Sequence, residues 1–183
     1  MSVKKIVFTG SPGSGKTTLL NIFKTLNNYR CIDESSREII IKNQKAGIDN
    51  IFRKSPLEFS KLLLENRIDQ YNENKNHKET LIFDRGIPDI LAYLNNENFK
   101  ELNTFESASL KYKYDLIFIF EPWKEIYSTD NERKESFDEA IQIHKQILNT
   151  YSKLGYLPIP VPKRSIEERK KFVIEEISRY DSN

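Results

Sequence analysis

The sequence has one cysteine, Cys31, and only two histidines, His77 and His144. A disulfide framework is therefore excluded, and too few soft ligands are left for a cysteine-based zinc site. Cys31 reads as a small residue buried on a strand. No apolar run approaches the roughly 18 residues that a membrane span requires. The opening MSVKKIVFTG passes into a strand and a glycine loop without the apolar segment of a secretory signal, so the reading is cytoplasmic. An excess of one charge is also missing: 29 basic residues face 27 acidic ones, a net charge of +2. Such a balance gives no field that would gather nucleic acid. The local groups Lys163-Arg164 and Arg169-Lys170-Lys171 read as a solvated helix face, because no aromatic residues alternate with them as a stacking platform needs.

What is present suits one domain. At 183 residues and 21.6 kDa the chain can bury a proper core; residues 1–180 are expected to form it, with 181–183 as a tail. Apolar runs recur at 4–10, 30–34, 79–84, 114–120 and 156–161, separated by helical patterns. Continuous rather than alternating apolar strands imply a parallel sheet covered on both faces, an α/β fold. Helices are predicted after the first strand, where Leu19, Ile22, Phe23 and Leu26 share a face, and from Pro56 to about Asn74. Two more are predicted over 134–154 and from Ser165 to about Arg179, the latter opened by the capping pattern Ser165-x-x-Glu168. His144 falls on an apolar face and reads as packed rather than catalytic.

Glycine is scarce, six in all, yet three stand within residues 10–15. The segment GSPGSGKT, residues 10–17, follows a strand and precedes an amphipathic helix, as a phosphate loop must. Gly10, Ser11, Pro12, Gly13, Ser14, Gly15, Lys16, Thr17 and Thr18 are the expected nucleotide cradle. Its backbone N–H groups and a helix N-terminus favour polyphosphate. Lys16 would reach the β- and γ-phosphates, and Thr17 would give its hydroxyl to Mg²⁺. No N-K-x-D guanine signature follows a strand, so ATP is favoured over GTP without being fixed.

In an open parallel sheet ligands bind beyond the carboxyl ends of the strands. Four apolar runs end there in polar residues: Thr9-Gly10, Asp33-Glu34, Asp84-Arg85 and Glu121. Asp84 closes LIFD and is the candidate partner of Thr17 for Mg²⁺. Arg85 would either clamp a phosphate or pin a carboxylate, and Asp89 would cap the next helix. Glu34 is the candidate general base toward an acceptor hydroxyl, with Arg37 orienting it or the phosphate. The plainer reading of that pair is a first-turn acid with an intrahelical ion pair. Arg67 either binds the acceptor or covers apolar surface with its stem. The polar stretch at about 124–136 is the expected lid, carrying Arg133 toward the γ-phosphate.

GSPGSGKTT, ESSREII, FDRGIPDILAY, the Tyr127-to-Glu135 pattern, YSKLGY and VPKRSIEER resemble the AAA-domain family that includes the ribosylnicotinamide kinase part of the NadR regulator. The likeness runs from Val3 to about Ile177. It implies a kinase-like P-loop NTPase, a three-layer α/β/α fold with five parallel strands in the order 2-3-1-4-5, and not a ring-forming motor. It also implies that Pro162 and Lys163, after the fifth strand, lie beside the adenine. The expected activity is Mg²⁺- and ATP-dependent phosphoryl transfer to the hydroxyl of a small nucleoside-like acceptor. The alternative is a nucleotide-binding regulatory ATPase or GTPase without such an acceptor; a nucleic-acid kinase is the least favoured. Neither acceptor nor oligomeric state is legible.

Overall fold

The five apolar runs become strands β1 (Lys5–Gly10), β2 (Tyr29–Ile32), β3 (Thr80–Asp84), β4 (Leu116–Phe120) and β5 (Ile159–Pro160). All pair in parallel, in the order β2-β3-β1-β4-β5 that the resemblance implies. This computed structural model describes residues 3–45, 51–74, 77–100, 102–127 and 136–182, with the backbone alone at Arg37, Phe52 and Arg53. Among the described residues the α-helices are α1 (Lys16–Phe23), α2 (Ser36–Lys45), α3 (Ile51–Lys54), α4 (Pro56–Glu73), α5 (Ile87–Asn96), α6 (Asn103–Lys111), α7 (Phe137–Lys153) and α8 (Ile166–Asp181).

The strands are apolar throughout because both faces are covered. Ile6 and Phe8 of β1 point to one layer, packing with Leu19, Leu20 and Phe23 of α1 and Val173 and Ile177 of α8. Val7, between them, points to the other layer, with Ile143, Ile147 and Tyr151 of α7. This is the period of two that any strand imposes. Phe8 sits edge-on to Phe23 and Phe118 at 5.6 and 5.8 Å; burying one such ring contributes about 1.5–3 kcal/mol. A third cluster joins α4, α5 and α6 through Leu63, Leu64, Ile90, Leu94 and Phe105.

The departures from expectation have local causes. α5 starts at Ile87, earlier than a cap at Asp89 would allow, with Gly86 as N-cap and Pro88 in its first turn. α6 was not anticipated, since only Phe105, Ala108 and Ser109 are buried along it, too few for an apolar stripe. β5 is shorter than its apolar run because Pro158, Pro160 and Pro162 limit the ladder; Val161 N–H still donates to the Ile119 carbonyl at 2.9 Å. The Ser165–Glu168 capping box forms as expected, with the Glu168 N–H donating to Ser165 Oγ at 3.4 Å and the Ser165 N–H donating to Glu168 Oε2 at 3.1 Å.

Candidate active site

The phosphate loop begins where β1 runs out beside β4. At Gly10 φ is 138°, and a Cβ there would lie 2.2 Å from the Phe120 carbonyl oxygen, so no side chain fits. Lys16 opens α1 and folds its ammonium back over the loop, donating to the carbonyls of Gly10 (3.2 Å) and Ser11 (2.9 Å) and approaching Ser14 Oγ at 3.4 Å. Burial, assisted by Arg85, lowers the Lys16 pKa to about 8, against the opposing pull of Asp84, Glu34 and Asp89. The ammonium thus sits where a phosphate oxygen would be its better partner. Thr17 and Thr18 are exposed at the first turn of α1, while Ser11 Oγ is buried without a hydrogen bond.

Asp84 ends β3 beside β1, and Arg85 follows it. Asp84 is 8% exposed, and its Oδ1 is buried with no hydrogen-bond partner. Burial raises its pKa, Lys16 and Arg85 pull it down, and Glu34 and Asp89 add to the rise. Asp84 is no helix cap. Arg85 adopts φ 71°, a left-handed conformation that costs a non-glycine residue about 1–3 kcal/mol and persists only when its surroundings hold it. They do: its N–H donates to the Phe8 carbonyl at 3.0 Å and its Nη1 to the Gly10 carbonyl at 3.1 Å. The guanidinium also stands over the Tyr93 ring at 5.3 Å. Of the two roles expected for Arg85, the described geometry is that of a pin between carboxylates.

Glu34 is one of those carboxylates. Its Oε1 lies 3.1 Å from Arg85 Nε and 3.8 Å from Arg67 Nη2, and its side chain is 30% exposed. Burial alone would raise its pKa; Arg85, Arg67 and Lys16 together with a Ser36 hydrogen bond outweigh that and hold it below the ordinary value. Arg67 does not merely cover apolar surface with its stem. It is buried, and its Nη1 donates to the Gly86 carbonyl at 2.6 Å. Its register gave the signal: Ser60, Leu63, Leu64 and Arg67 are the buried positions of α4.

Asp89 carries more than a cap. At 1% exposure its Oδ2 accepts from the Gly86 N–H at 2.8 Å and from the Tyr151 hydroxyl at 2.7 Å. Its Oδ1 accepts from Thr9 Oγ1 and lies 3.4 Å from Arg85 Nη1. One carboxylate thus ties β1, α5 and α7 together under the strand ends.

Other expected residues lie elsewhere. Glu121 and Lys163 pair with each other at 3.3 Å, both well exposed, and Pro162 is half-buried beside them. Arg133, with residues 128–135 of the expected lid, lies outside the described residues, as does the side chain of Arg37. At the flank of that segment the Tyr127 ring lies against Gly13, its hydroxyl donating to the Ser136 carbonyl at 3.3 Å. Arg169 corrects the reading of the 169–171 group as solvated. It is buried, and its Nη2 donates to the Ser14 carbonyl of the phosphate loop at 3.2 Å. Only Lys170 and Lys171 behave as surface charges, pairing with Glu167 and Glu175. The signal for Arg169 lay in its position, three after Ile166 and four before Val173 on the apolar stripe of α8.

The donor set suits a hard cation. Asp84 offers a buried, unpartnered carboxylate oxygen and Thr17 an exposed hydroxyl at the helix mouth. Among the described residues no three His, Cys, Asp or Glu side chains gather into a metal site. A Mg²⁺ held here would draw its remaining oxygens from phosphate and water, as this ion commonly does.

Solved structures with the same fold are numerous. Deoxyadenosine kinase from M. mycoides, determined with bound dATP, superposes with a TM-score of 0.73 at 16% identity, covering 96% of this chain and 99% of that one. The NadR protein in complex with NAD and AMP-PNP gives 0.73 at 19% identity, with 99% of this chain matching 50% of that one. Thymidylate kinase from Ehrlichia chaffeensis gives 0.65 at 16%, over 97% and 99% of the two chains. No curated protein matches in sequence. The fold is therefore that of the P-loop nucleoside and nucleotide kinases. Because the model of the AAA domain matches residues 5–169, from β1 through the phosphate loop to Arg169, the chain belongs to the AAA-domain family.

Proposed function

We propose that this protein is a phosphotransferase that moves the γ-phosphate of ATP to a hydroxyl of a small nucleoside-like acceptor. The observation that carries this reading is the Glu34 carboxylate, held by Arg85 and Arg67 and electrostatically coupled to Lys16 across the strand ends. An acid presented to solvent beside a phosphate cradle is the arrangement an acceptor hydroxyl requires. Support also comes from relatives of this fold, one solved with dATP and another, NadR, with NR.

In this reading Gly10 to Thr18 hold the triphosphate, and Lys16 exchanges its loop carbonyls for phosphate oxygens. Thr17 and Asp84 would hold Mg²⁺, which neutralises developing charge on the phosphates when bound. Glu34 accepts a hydrogen bond from the acceptor hydroxyl and orients its oxygen toward the γ-phosphorus. The new O–P bond forms as the bond to the β–γ bridging oxygen breaks, ADP leaves, and the hydroxyl proton passes to Glu34. A carboxylate stabilised by two guanidiniums is a weak base, so its main contribution is position, with proton transfer late along the reaction. Arg37 and Arg67 would line the acceptor side, Arg85 would fix Glu34, and Arg133 would close over the γ-phosphate from the lid. Pro162 and Lys163 would flank the base.

A panel of nucleosides, nucleotides and vitamin ribosides incubated with ATP and Mg²⁺, followed by ³¹P NMR, tests the proposal. One acceptor is expected to gain phosphate, and Glu34→Gln to slow that transfer by roughly 10² or more while ATP still binds. The same ion pairs support a second reading, in which Glu34 is a counter-ion alone and the protein is a regulatory nucleotide-binding ATPase or GTPase. Nucleotide binding with no acceptor phosphorylated across the panel would favour it.

A further inference from the structure

Arg169 is a buried cation that lacks an acid. It is 4% exposed in the first turns of α8, and among the described residues no carboxylate pairs with it. Burial lowers its basicity, whereas Lys16, Arg67 and Arg85 all have carboxylates beside them. Rings take the place of an acid: the guanidinium carbon stands 5.1 Å from the centre of the Phe120 ring and 5.7 Å from that of Trp123. An aromatic face holds a guanidinium through its quadrupole but cancels little of its charge. Nε is buried without a partner, so the desolvation of this side chain is incompletely offset within the protein.

The charge is directed at the phosphate loop. Arg169 Nη2 donates to the Ser14 carbonyl at 3.2 Å, and a Cβ on Gly15 would come within 2.7 Å of Nη1, so the loop passes directly over the guanidinium. In a trans peptide the C=O and the following N–H point in opposite directions. Tying the Ser14 carbonyl to Arg169 therefore turns the Gly15 N–H away from Arg169, toward the cradle. It also polarises that N–H into a stronger donor.

We infer that Arg169 is a positioning residue for the phosphates of the nucleotide, fixing the Ser14–Gly15 peptide and adding an uncancelled positive charge beneath the loop, with the bound polyphosphate as its counter-ion. The inference rests on the nucleotide-binding part of the proposed function. It assigns the cradle two cations with separate tasks: Lys16 inside the loop, in reach of the phosphates, and Arg169 outside it, acting through the backbone.

The test compares the parent protein with Arg169→Met, which keeps length without charge, and Arg169→Lys, which keeps charge without the planar fork. Thermal midpoints without ligand are measured, together with calorimetric affinities for ATP, ADP, AMP and inorganic tripolyphosphate at several salt concentrations. For Arg169→Met the ligand-free midpoint should be unchanged or higher, since a poorly compensated buried charge has been removed. Affinity for ATP and tripolyphosphate should fall by roughly tenfold or more, the scale of one charge-assisted hydrogen bond, with a smaller loss for ADP and the smallest for AMP. The salt dependence should become shallower, and Arg169→Lys should retain more affinity than Arg169→Met. Unaltered affinities, an equal fractional loss for all four ligands, or a variant that no longer folds would each overturn the inference in favour of a scaffold role. If the parent itself binds no nucleotide, the functional reading falls and takes the inference with it; if the parent binds and Arg169→Met binds equally, only the inference falls.

Discussion

Arg85 holds Glu34 through its Nε, 3.1 Å from the Oε1 of the acid, although the two residues follow different strands. The same oxygen faces Arg67, so one partly exposed carboxylate touches two buried guanidiniums, the second of which, Arg85, is shared with Asp89. Because the Glu34 pKa lies below its ordinary 4.5 in the folded protein, the unfolded chain binds more protons in the window just below that value. The stability that Glu34 contributes is then complete above about pH 4.5 and is lost as the pH falls through the lower, folded value. Glu34→Gln should reduce unfolding free energy at pH 7 by about 2 kcal/mol, less than for a fully buried pair. It should also flatten the acid limb of the stability profile. Urea titrations from pH 3 to 7 read both effects.

Asp89 should be among the most sensitive polar positions in the chain. Asp89→Asn removes the charge facing Arg85 and puts an amide group where Thr9, Tyr151 and the Gly86 N–H all donate. A loss of about 2–4 kcal/mol is expected, against about 1 kcal/mol for Tyr151→Phe. Because both act on one carboxylate, the double variant should fall short of the sum, and denaturation of the four proteins in a cycle would measure the coupling.

Nucleotide binding should take up a proton at mildly alkaline pH. The Lys16 ammonium is depressed to about 8 without ligand, and phosphate oxygens would return it toward the usual 10.5. Between these values the ligand-free lysine is partly neutral and the bound one charged, so affinity should decline as the pH rises above 8. Titration calorimetry at pH 9 in buffers of different ionisation enthalpy would detect the uptake. In the ligand-free protein the sign is reversed: the folded state binds fewer protons than the unfolded one from 8 to 10.5, so stability should rise with pH there.

Gly10→Ala should be more damaging than its single methyl suggests. The added carbon would meet the Phe120 carbonyl oxygen at 2.2 Å, backbone against backbone, in a conformation that alanine disfavours. A loss of at least about 3 kcal/mol is expected. It would appear as a large drop in thermal midpoint or as failure to accumulate soluble protein.

The sheet was legible because parallel strands covered on both faces cannot hide an unbroken apolar run such as LIFIF. The phosphate loop was legible because its glycines, lysine and threonine stand at fixed spacing between a strand and a helix. The same rule of strand ends singled out Asp84, whose Oδ1 is buried without a hydrogen-bond partner. Arg67 and Arg169 were undervalued on different grounds: Arg67, beside an apolar helix stripe, reads as a residue laying its stem on the core, and Arg169, in a run with Lys170 and Lys171, reads as part of a solvated face. Whether either head group instead reaches a carbonyl across the fold is decided by the neighbouring elements, here Gly86 for Arg67 and Ser14 for Arg169. Asp89 was likewise read from its own helix. Its partners Thr9 and Tyr151 are 80 and 62 residues away along the chain, and local pattern carries no information at that range.

The prolines around β5 act on more than the length of that strand. Val161 turns its N–H inward to Ile119, so Pro158, Pro160 and Pro162, each an odd number of residues away, occupy the outward-facing positions. At each of them the outer margin of the sheet offers no donor. A chain seeking to add itself there would find acceptors alone, and a ladder needs both. The margin beyond β5 is thereby closed to strand addition, which protects this side of the molecule from edge-to-edge aggregation.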